Sequence, residues 1–489
     1  MSRHILLTTN CEYGQANVVL ALAYELATRP GVKVAIASFA ALDKRVTQLQ
    51  TQLRDAGHES SDISFHLLPG RGHIEAVGMT RLDTPHGPGV KQALHSFRYA
   101  PSMLLPWTET EYMEQLRTIE GIIHKFEPEV VVVEWFHRAG QDVCKKLGLK
   151  FFVITPNSPK DLIGFRQPWA AGLWKFPAYV LAVSCSPLLL FDDTSINRLS
   201  SGYTYPLRWS KLIPNMFINL MLILGIRLSP VVHKADRMRK IYNEAIPPIL
   251  VDPEIQYLCP STPALDFPVV IPDNIILCGP LVMPTASIQT VDPELTAWLD
   301  LAPTVLVNLG SHVTFDCSAI REFASGFRPL LQSHPNIQIL WKLRPEGDVQ
   351  EALDKHIESD VDIQGRVQIV HWLQSEPFAI LQHPNIICSV HHGGANSFFE
   401  AVSAGVPQVV LPVWYDTYDY ATRAEWLGIG LWGSHSSAPQ AEASEFGEAL
   451  LRVAGSGADG FRAQAKNLAE SCRTRYTGRV RAADEILGL

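Results

Sequence analysis

The sequence is poor in the features that mark several large classes of protein. Its eight cysteines stand singly, at 11, 144, 185, 259, 278, 317, 388 and 472, and no two of them form a CxxC pair. Scattered thiols in a 489-residue chain fit a reducing compartment and argue against a disulfide frame or a cysteine zinc site. No run of Lys and Arg exceeds two residues, and the formal net charge is −8. Nucleic-acid binding and a polybasic membrane tether both need clustered positive charge, so neither is expected. The apolar run Ile5-Leu6-Leu7 near the N-terminus is too short for a signal-peptide core and has no small-residue cleavage site after it, which sets a cytoplasmic location as the expectation. There is no internal repeat and no low-complexity segment.

What is present is ample core material. Hydrophobic residues make up 47% of the chain and charged residues 18%, ordinary values for globular domains, and the length calls for two or three of them. The first half alternates apolar strand-like runs (4–9, 32–39, 63–68, 130–133, 150–155) with helical stretches. The second half repeats the scheme with runs at 304–309, 337–342, 367–370, 386–390 and 408–411. Fully apolar strands separated by helices indicate parallel sheets covered on both faces. The fold class is therefore α/β, with two Rossmann-like doubly wound domains. Between the halves lies a Pro-rich stretch, 247–293, the best linker candidate. Residues 70–110 hold many Gly, Pro, His and Thr without periodicity and read as an acceptor-facing lid, with a plain loop excursion as the alternative.

One stretch carries chemistry: Ser389-Val390-His391-His392-Gly393-Gly394-Ala395-Asn396-Ser397-Phe398-Phe399-Glu400. It reads as a buried strand, a glycine turn and a helix opening on small polar residues. A helix N-terminus presents unpaired N–H groups and partial positive charge, which suits a diphosphate. Gly393 and Gly394 let the backbone approach the ligand, Asn396 and Ser397 add short donors, and His392 can donate to a phosphate oxygen. Glu400, one turn on, suits the hydroxyls of a ribose. Gly405-Val406-Pro407 and a further strand lead to Pro412-Val413-Trp414-Tyr415-Asp416-Thr417, where a carboxylate beyond a strand end can accept from sugar hydroxyls.

These motifs resemble the donor-binding signature of the UDP-glycosyltransferase family, its fungal members above all. The resemblance runs more weakly through most of the chain, including Leu265-Asp266-Phe267-Pro268, Cys278-Gly279-Pro280-Leu281 and Gly478-Arg479-Val480-Arg481. It implies a GT-B fold of two Rossmann-like domains facing across a cleft, divided here as 1–265, 266–470 and a last helix at 471–489 that packs back on the first domain. It also implies roles: Trp372 stacking on uracil, with Gln374 beside it where the family has a Pro-Gln pair; Ser311, His392, Gly394, Asn396 and Ser397 on the diphosphate; Glu400 on the ribose; and Asp416, followed by Thr417 rather than Gln, on the sugar. The implied reaction is inverting transfer of a sugar, glucose by expectation, to a small lipophilic acceptor. No metal ion and no cofactor beyond the UDP-sugar co-substrate is expected. Asp360-Val361-Asp362 precedes a strand and reads as a solvated loop, not a metal motif.

The pattern breaks in the first loop, Glu12-Tyr13-Gly14-Gln15. Gln15 stands where the family carries its catalytic His, and an amide is no general base near neutral pH. Glu134 stands where the family's partner Asp follows the Val-rich strand. Glu134, Glu12, His137 and His73 are the candidate replacements. An acidic acceptor that needs no strong base is a second solution, and a protein that binds a nucleotide sugar without turnover, or one with another donor or epimerase chemistry, is the alternative. Apolar, aromatic stretches at 98–107 and 163–189 are expected to line an acceptor cleft. The segment 213–226 is strongly apolar but short for a span and interrupted by two Asn and a Pro. A buried helix is expected there, with acceptor lining or peripheral membrane contact as the other readings; the oligomeric state is left open.

Overall fold

The computed structural model describes residues 3–58, 63–78, 87–90, 103–164, 167–178, 201–244, 252–361, 363–414, 416–475 and 477–489. Two parallel sheets organise it. The first contains β1 (Arg3–Thr8), β2 (Val32–Ser38), β3 (Ile63–Leu67), β4 (Val130–Glu134), β5 (Phe151–Ile154), β6 (Gln256–Cys259) and β7 (Ile275–Leu277), in the order β3-β2-β1-β4-β5-β6-β7. The second contains β8 (Thr304–Asn308), β9 (Gln338–Lys342), β10 (Val367–Val370), β11 (Ile386–His391), β12 (Gln408–Val410) and β13 (Gly430–Trp432), in the order β10-β9-β8-β11-β12-β13. β1, β4 and β8 are buried along most or all of their length, as continuous apolar runs in a covered parallel sheet must be. β6 and β7 fall inside the Pro-rich stretch, so the first sheet runs past the 265/266 division to Leu277.

Each sheet has one place where strand order reverses. In the first it lies between β1 and β4, paired Thr8 to Val133, and in the second between β8 and β11, paired Val390 to Val307. Loops leaving the carboxyl ends of such strands diverge to opposite faces and open a crevice. Four loops are placed by this rule alone: 9–12 after β1, 135–137 after β4, 309–316 after β8 and 392–394 after β11.

Helices cover both faces of the first sheet. Tyr13–Ala27 and Asp43–Asp55 pack with Ile5, Leu7, Ile36 and Val132 on one side; Glu109–Phe126 and Arg138–Leu147 pack with Leu6, Ala35 and Val133 on the other. The Gly478–Leu487 helix joins the former core through Ala482, Ala483, Ile486 and Leu487. Arg479 Nε meets Glu25 Oε2 at 3.2 Å, Arg29 Nη2 meets Asp484 Oδ1 at 2.9 Å, and Arg3 Nη1 donates to the Leu487 carbonyl at 2.6 Å. Entry to that helix is tight, since a Cβ on Gly478 would lie 1.9 Å from the Pro280 carbonyl oxygen.

A buried charged cluster ties the two halves together. Arg423 donates to Ser158 Oγ and Asp266 Oδ1, each at 2.9 Å, and Lys160 pairs with Asp419. Burial, reinforced by Asp419, pushes the Asp161 carboxyl up to about 7.

The Trp209–Leu228 helix departs from the buried reading. Its inward face carries the polar Asn215 and Asn219, while Trp209 and Ile213 are 87% and 78% exposed and Met216, Phe217, Leu220, Leu224 and Leu228 are exposed too. The reason is local. Asn215 and Asn219 donate to the carbonyls of Gly172, Leu173 and Phe176, and Asn215 accepts from the Ala178 N–H, so the amides fix which side turns inward. No single helix among the described residues is long and apolar enough to cross a membrane.

Candidate active site

A cavity of about 600 Å³ opens between the two crevices. Ser311, Trp372, Gln374, His392, Gly394, Asn396, Ser397, Glu400, Asp416 and Thr417 all line it, facing Glu12 at the end of the first loop and Gly14 and Gln15, which the structure places in the first turn of the Tyr13–Ala27 helix rather than in the loop.

The cradle at the end of β11 is built from two histidines with different tasks. His391 is buried; its Nδ1 accepts from the Gly393 N–H at 3.0 Å, so its Nε2 donates to Gln408 Oε1 at 2.8 Å. This histidine shapes the turn. His392 faces the cavity, its ring wedged between two glycines. A Cβ on Gly310 (φ 85°) would lie 2.8 Å from its Cε1, and one on Gly394 2.7 Å from its Nε2. Burial, with His391, His312 and Lys342 nearby, lowers its pKa to about 3, so it is a neutral imidazole near pH 7. Its Nδ1 is buried without a partner. Gly394 is the N-cap of the Ala395–Ala404 helix, and no side chain caps it. The first-turn N–H groups are thereby left for a ligand, and the helix dipole favours an anion there.

Trp372 is 58% exposed and carries the Lys342 ammonium 4.1 Å from its ring centroid. The same ammonium donates to the Gly310 carbonyl at 3.2 Å. Lys342 thus fixes the tryptophan and the turn after β8 together, on a residue singled out by no motif. Its place at the carboxyl end of β9 was the available signal. Glu400 is half-buried; burial and the neighbouring Glu376 raise its pKa to about 8. Asp416 is raised to about 7 by burial, with Asp161 and Asp419 adding to the effect. The Thr417 hydroxyl is occupied locally: it accepts from the Val413 and Trp414 N–H groups at 3.2 and 3.1 Å and donates to the Trp414 carbonyl.

Across the cleft the candidate bases separate. Glu12 lines the cavity; its Oε1 accepts from the Ile74 N–H at 2.7 Å and its Oε2 has no hydrogen-bond partner. Glu134 lies buried beneath, accepting from Asn10 Nδ2 at 3.1 Å and the Phe136 N–H at 3.0 Å. Desolvation drives its pKa up to about 8. His137 is buried with Nδ1 3.0 Å from Thr8 Oγ1, and burial lowers it to about 3. His73 is buried against Trp107, with Nε2 donating to the Met103 carbonyl at 2.6 Å. None of these last three lines the cavity.

The 70–110 stretch contributes Ile74 and Met103 to the cavity wall, joined by Phe136 and Pro156. Met103 is the one described residue of 98–107 that lines the wall, and no described residue of 163–189 does; 79–86, 91–102, 165–166 and 179–200 lie outside the described residues. Asp360 pairs with Arg328, and Asp362 lies outside the described residues.

The chain is 37% identical to Glycosyltransferase sdnJ of Sordaria araneosa over 99% of its own length and 97% of the relative's. Residues 347–478 match the family described as Erythromycin biosynthesis protein CIII-like, C-terminal domain. Among solved structures, the glycotransferase of kitacinnamycin superposes with a TM-score of 0.62 at 15% identity, covering 100% of this chain and 99% of that one. Phytolacca americana UGT2, complexed with UDP-2fluoro-glucose and pterostilbene, gives 0.63 at 17% identity, with coverage of 100% and 99%. Two doubly wound domains with facing crevices have the GT-B architecture, and the relative at 37% identity over nearly the whole chain makes this a glycosyltransferase. Within that class, the chain belongs to the UDP-glycosyltransferase family.

Proposed function

We propose that this enzyme transfers glucose from UDP-glucose, with inversion and without a metal ion or organic cofactor, to a small lipophilic acceptor of secondary metabolism such as a sterol, terpenoid or polyketide. One observation carries the reading: a single cavity is lined by the whole donor set on one side and by Glu12, Ile74, Met103 and Phe136 on the other. The acceptor oxygen attacks the anomeric carbon while the bond to the UDP oxygen breaks. Charge developing on the diphosphate meets the open N-terminus of Ala395–Ala404 and neutral His392. Trp372 offers a ring to the uracil and Glu400 an acceptor to the ribose. Glucose is supported by the UDP-2fluoro-glucose bound to the Phytolacca americana enzyme.

For a hydroxyl acceptor the proton goes to Glu12, the one candidate base in the cavity wall. A carboxylic acid acceptor would need no such help. A cytosolic location accords with these substrates. The test is incubation with UDP-glucose and a lipophilic acceptor library, read by mass spectrometry, with the anomeric configuration of any product taken from NMR. A hexosylated product of inverted configuration is expected. Tight UDP binding with no turnover across the library, or interconversion of free sugar nucleotides without acceptor, would overturn the proposal.

A further inference from the structure

The Trp209–Leu228 helix is amphipathic in the inverted sense. Trp209, Ile213, Met216, Phe217, Leu220, Leu224 and Leu228 recur at helical spacing along its exposed side, while its hydrogen-bonding amides point into the protein. A contiguous exposed apolar stripe of this length is uncommon on a water-facing helix. Trp169, 93% exposed, and Trp174, 44% exposed, stand on the short segment to which Asn215 and Asn219 are bonded. Tryptophans beside an apolar stripe suit the boundary between acyl chains and headgroups.

The next helix supplies the second signal. Pro230–Tyr242 follows at a bend of 42°. Lys234, Arg237 and Lys240, three residues apart, lie on its exposed side together with Ile241. Its single acidic residue, Asp236, is 3.2 Å from Arg239 Nη1, and no Asp or Glu occurs from Ser201 to Ala235. A protein of net charge −8 thus sets a cationic face directly beyond this exposed apolar one. The basic residues form no run in the sequence because a three-residue spacing, rather than adjacency, gathers them on one side of a helix.

We infer that this pair of helices docks the enzyme on an anionic bilayer surface. The apolar stripe enters the acyl boundary, the tryptophans seat at the headgroups, and Lys234, Arg237 and Lys240 meet the lipid charge. Reversible docking of this kind combines one apolar element with one cationic patch. The stripe is not in the wall of the donor cavity, so the inference stands apart from the choice of sugar or acceptor.

The test is flotation of the full chain with vesicles of phosphatidylcholine alone and of phosphatidylcholine mixed with phosphatidylserine. Binding to the mixed vesicles, weakened by salt, is expected, with a blue shift of tryptophan emission and quenching by brominated acyl chains. Leu220→Asp should abolish flotation. The triple change Lys234→Gln, Arg237→Gln, Lys240→Gln should lower partitioning by roughly 100-fold, at about five-fold per basic residue. All four positions are exposed, so UDP release and circular dichroism should match the wild type. Absence of flotation by the wild type, or flotation of both variants equal to that of the wild type, would overturn the inference. So would a dimer in light scattering that Leu220→Asp dissociates while no vesicle is bound, since a second copy would then be the occupant.

Discussion

Asn396, in the first turn of the donor helix, donates its side-chain amide across the cleft to the carbonyl of Tyr13, Nδ2 to O 3.3 Å. The acceptor is a backbone atom in the first turn of the Tyr13–Ala27 helix, which Glu12 caps and which carries Gln15. Donor cradle and first loop are therefore in register before any ligand arrives. Asn396→Ala should raise KM for the donor and also lower kcat, because the same amide group serves both sides. Initial rates against UDP-glucose distinguish this from a pure binding defect, which would leave kcat unchanged.

Trp372→Ala should raise KM for UDP-glucose by roughly 5- to 150-fold, the usual worth of one base–aromatic stack being about 1–3 kcal/mol. Trp372→Phe should recover part of the loss. An unchanged KM in the alanine variant would remove the uracil from this position.

His392→Ala should abolish donor use, measured as UDP release with and without acceptor. Gly310→Ala should damage the same step without touching a ligand group, since its Cβ would push on the His392 ring and its φ of 85° disfavours any side chain. Wild-type turnover in the Gly310 variant would show that the ring has room to spare.

Glu12→Gln should reduce kcat/KM for hydroxyl acceptors by roughly 10²- to 10⁴-fold, the range of general-base catalysis, and flatten the acidic limb of the pH–rate profile. Carboxylic acid acceptors should be almost unaffected. Gln15→Ala should cost little with either class, because no proton passes through it.

Glu134 makes a prediction about stability. Its pKa, raised from 4.5 to about 8 by burial, means that the folded state holds a proton the unfolded chain releases. Its contribution is complete below about pH 4.5 and is lost as pH rises through about 8, so Tm should fall over that window. Glu134→Gln keeps the neutral form, and Asn10, whose Oδ1 is unpartnered, can turn to accept from the new amide. The variant should gain on the wild type between about pH 5 and about pH 9 in thermal melts.

The donor side could be read from sequence because it is contiguous: strand, turn and helix N-terminus carry His392, Gly394, Asn396, Ser397 and Glu400 within a few residues. Lys342 and Asn308 reach the same cavity from other strand ends and leave no local pattern. The acceptor side is assembled from six separated segments, at 12–17, 41–48, 74, 103, 136 and 156–157, so no one apolar stretch marks it; among the described residues, Met103 is what the proposed stretches supply. Glu12, Glu134, His137 and His73 looked equivalent along the chain, and only depth separates them, since one reaches the wall and three lie beneath it. The 209–228 helix misled because apolar composition says nothing about which side faces inward. Two asparagines bonded to the 172–178 segment decided that.

The Gly478–Leu487 helix, which closes the first domain's core, has a consequence for synthesis. Ile5, Leu7 and Leu22 wait for Ala482, Ile486 and Leu487 as core neighbours, more than 450 positions later in the chain. On the ribosome the first domain must remain open along that face while the second is made around its own sheet. The N-terminal half therefore closes only after the second domain has been synthesised, and a stalled or nicked product lacking the 478–487 helix would display a greasy groove that chaperones and proteases can recognise.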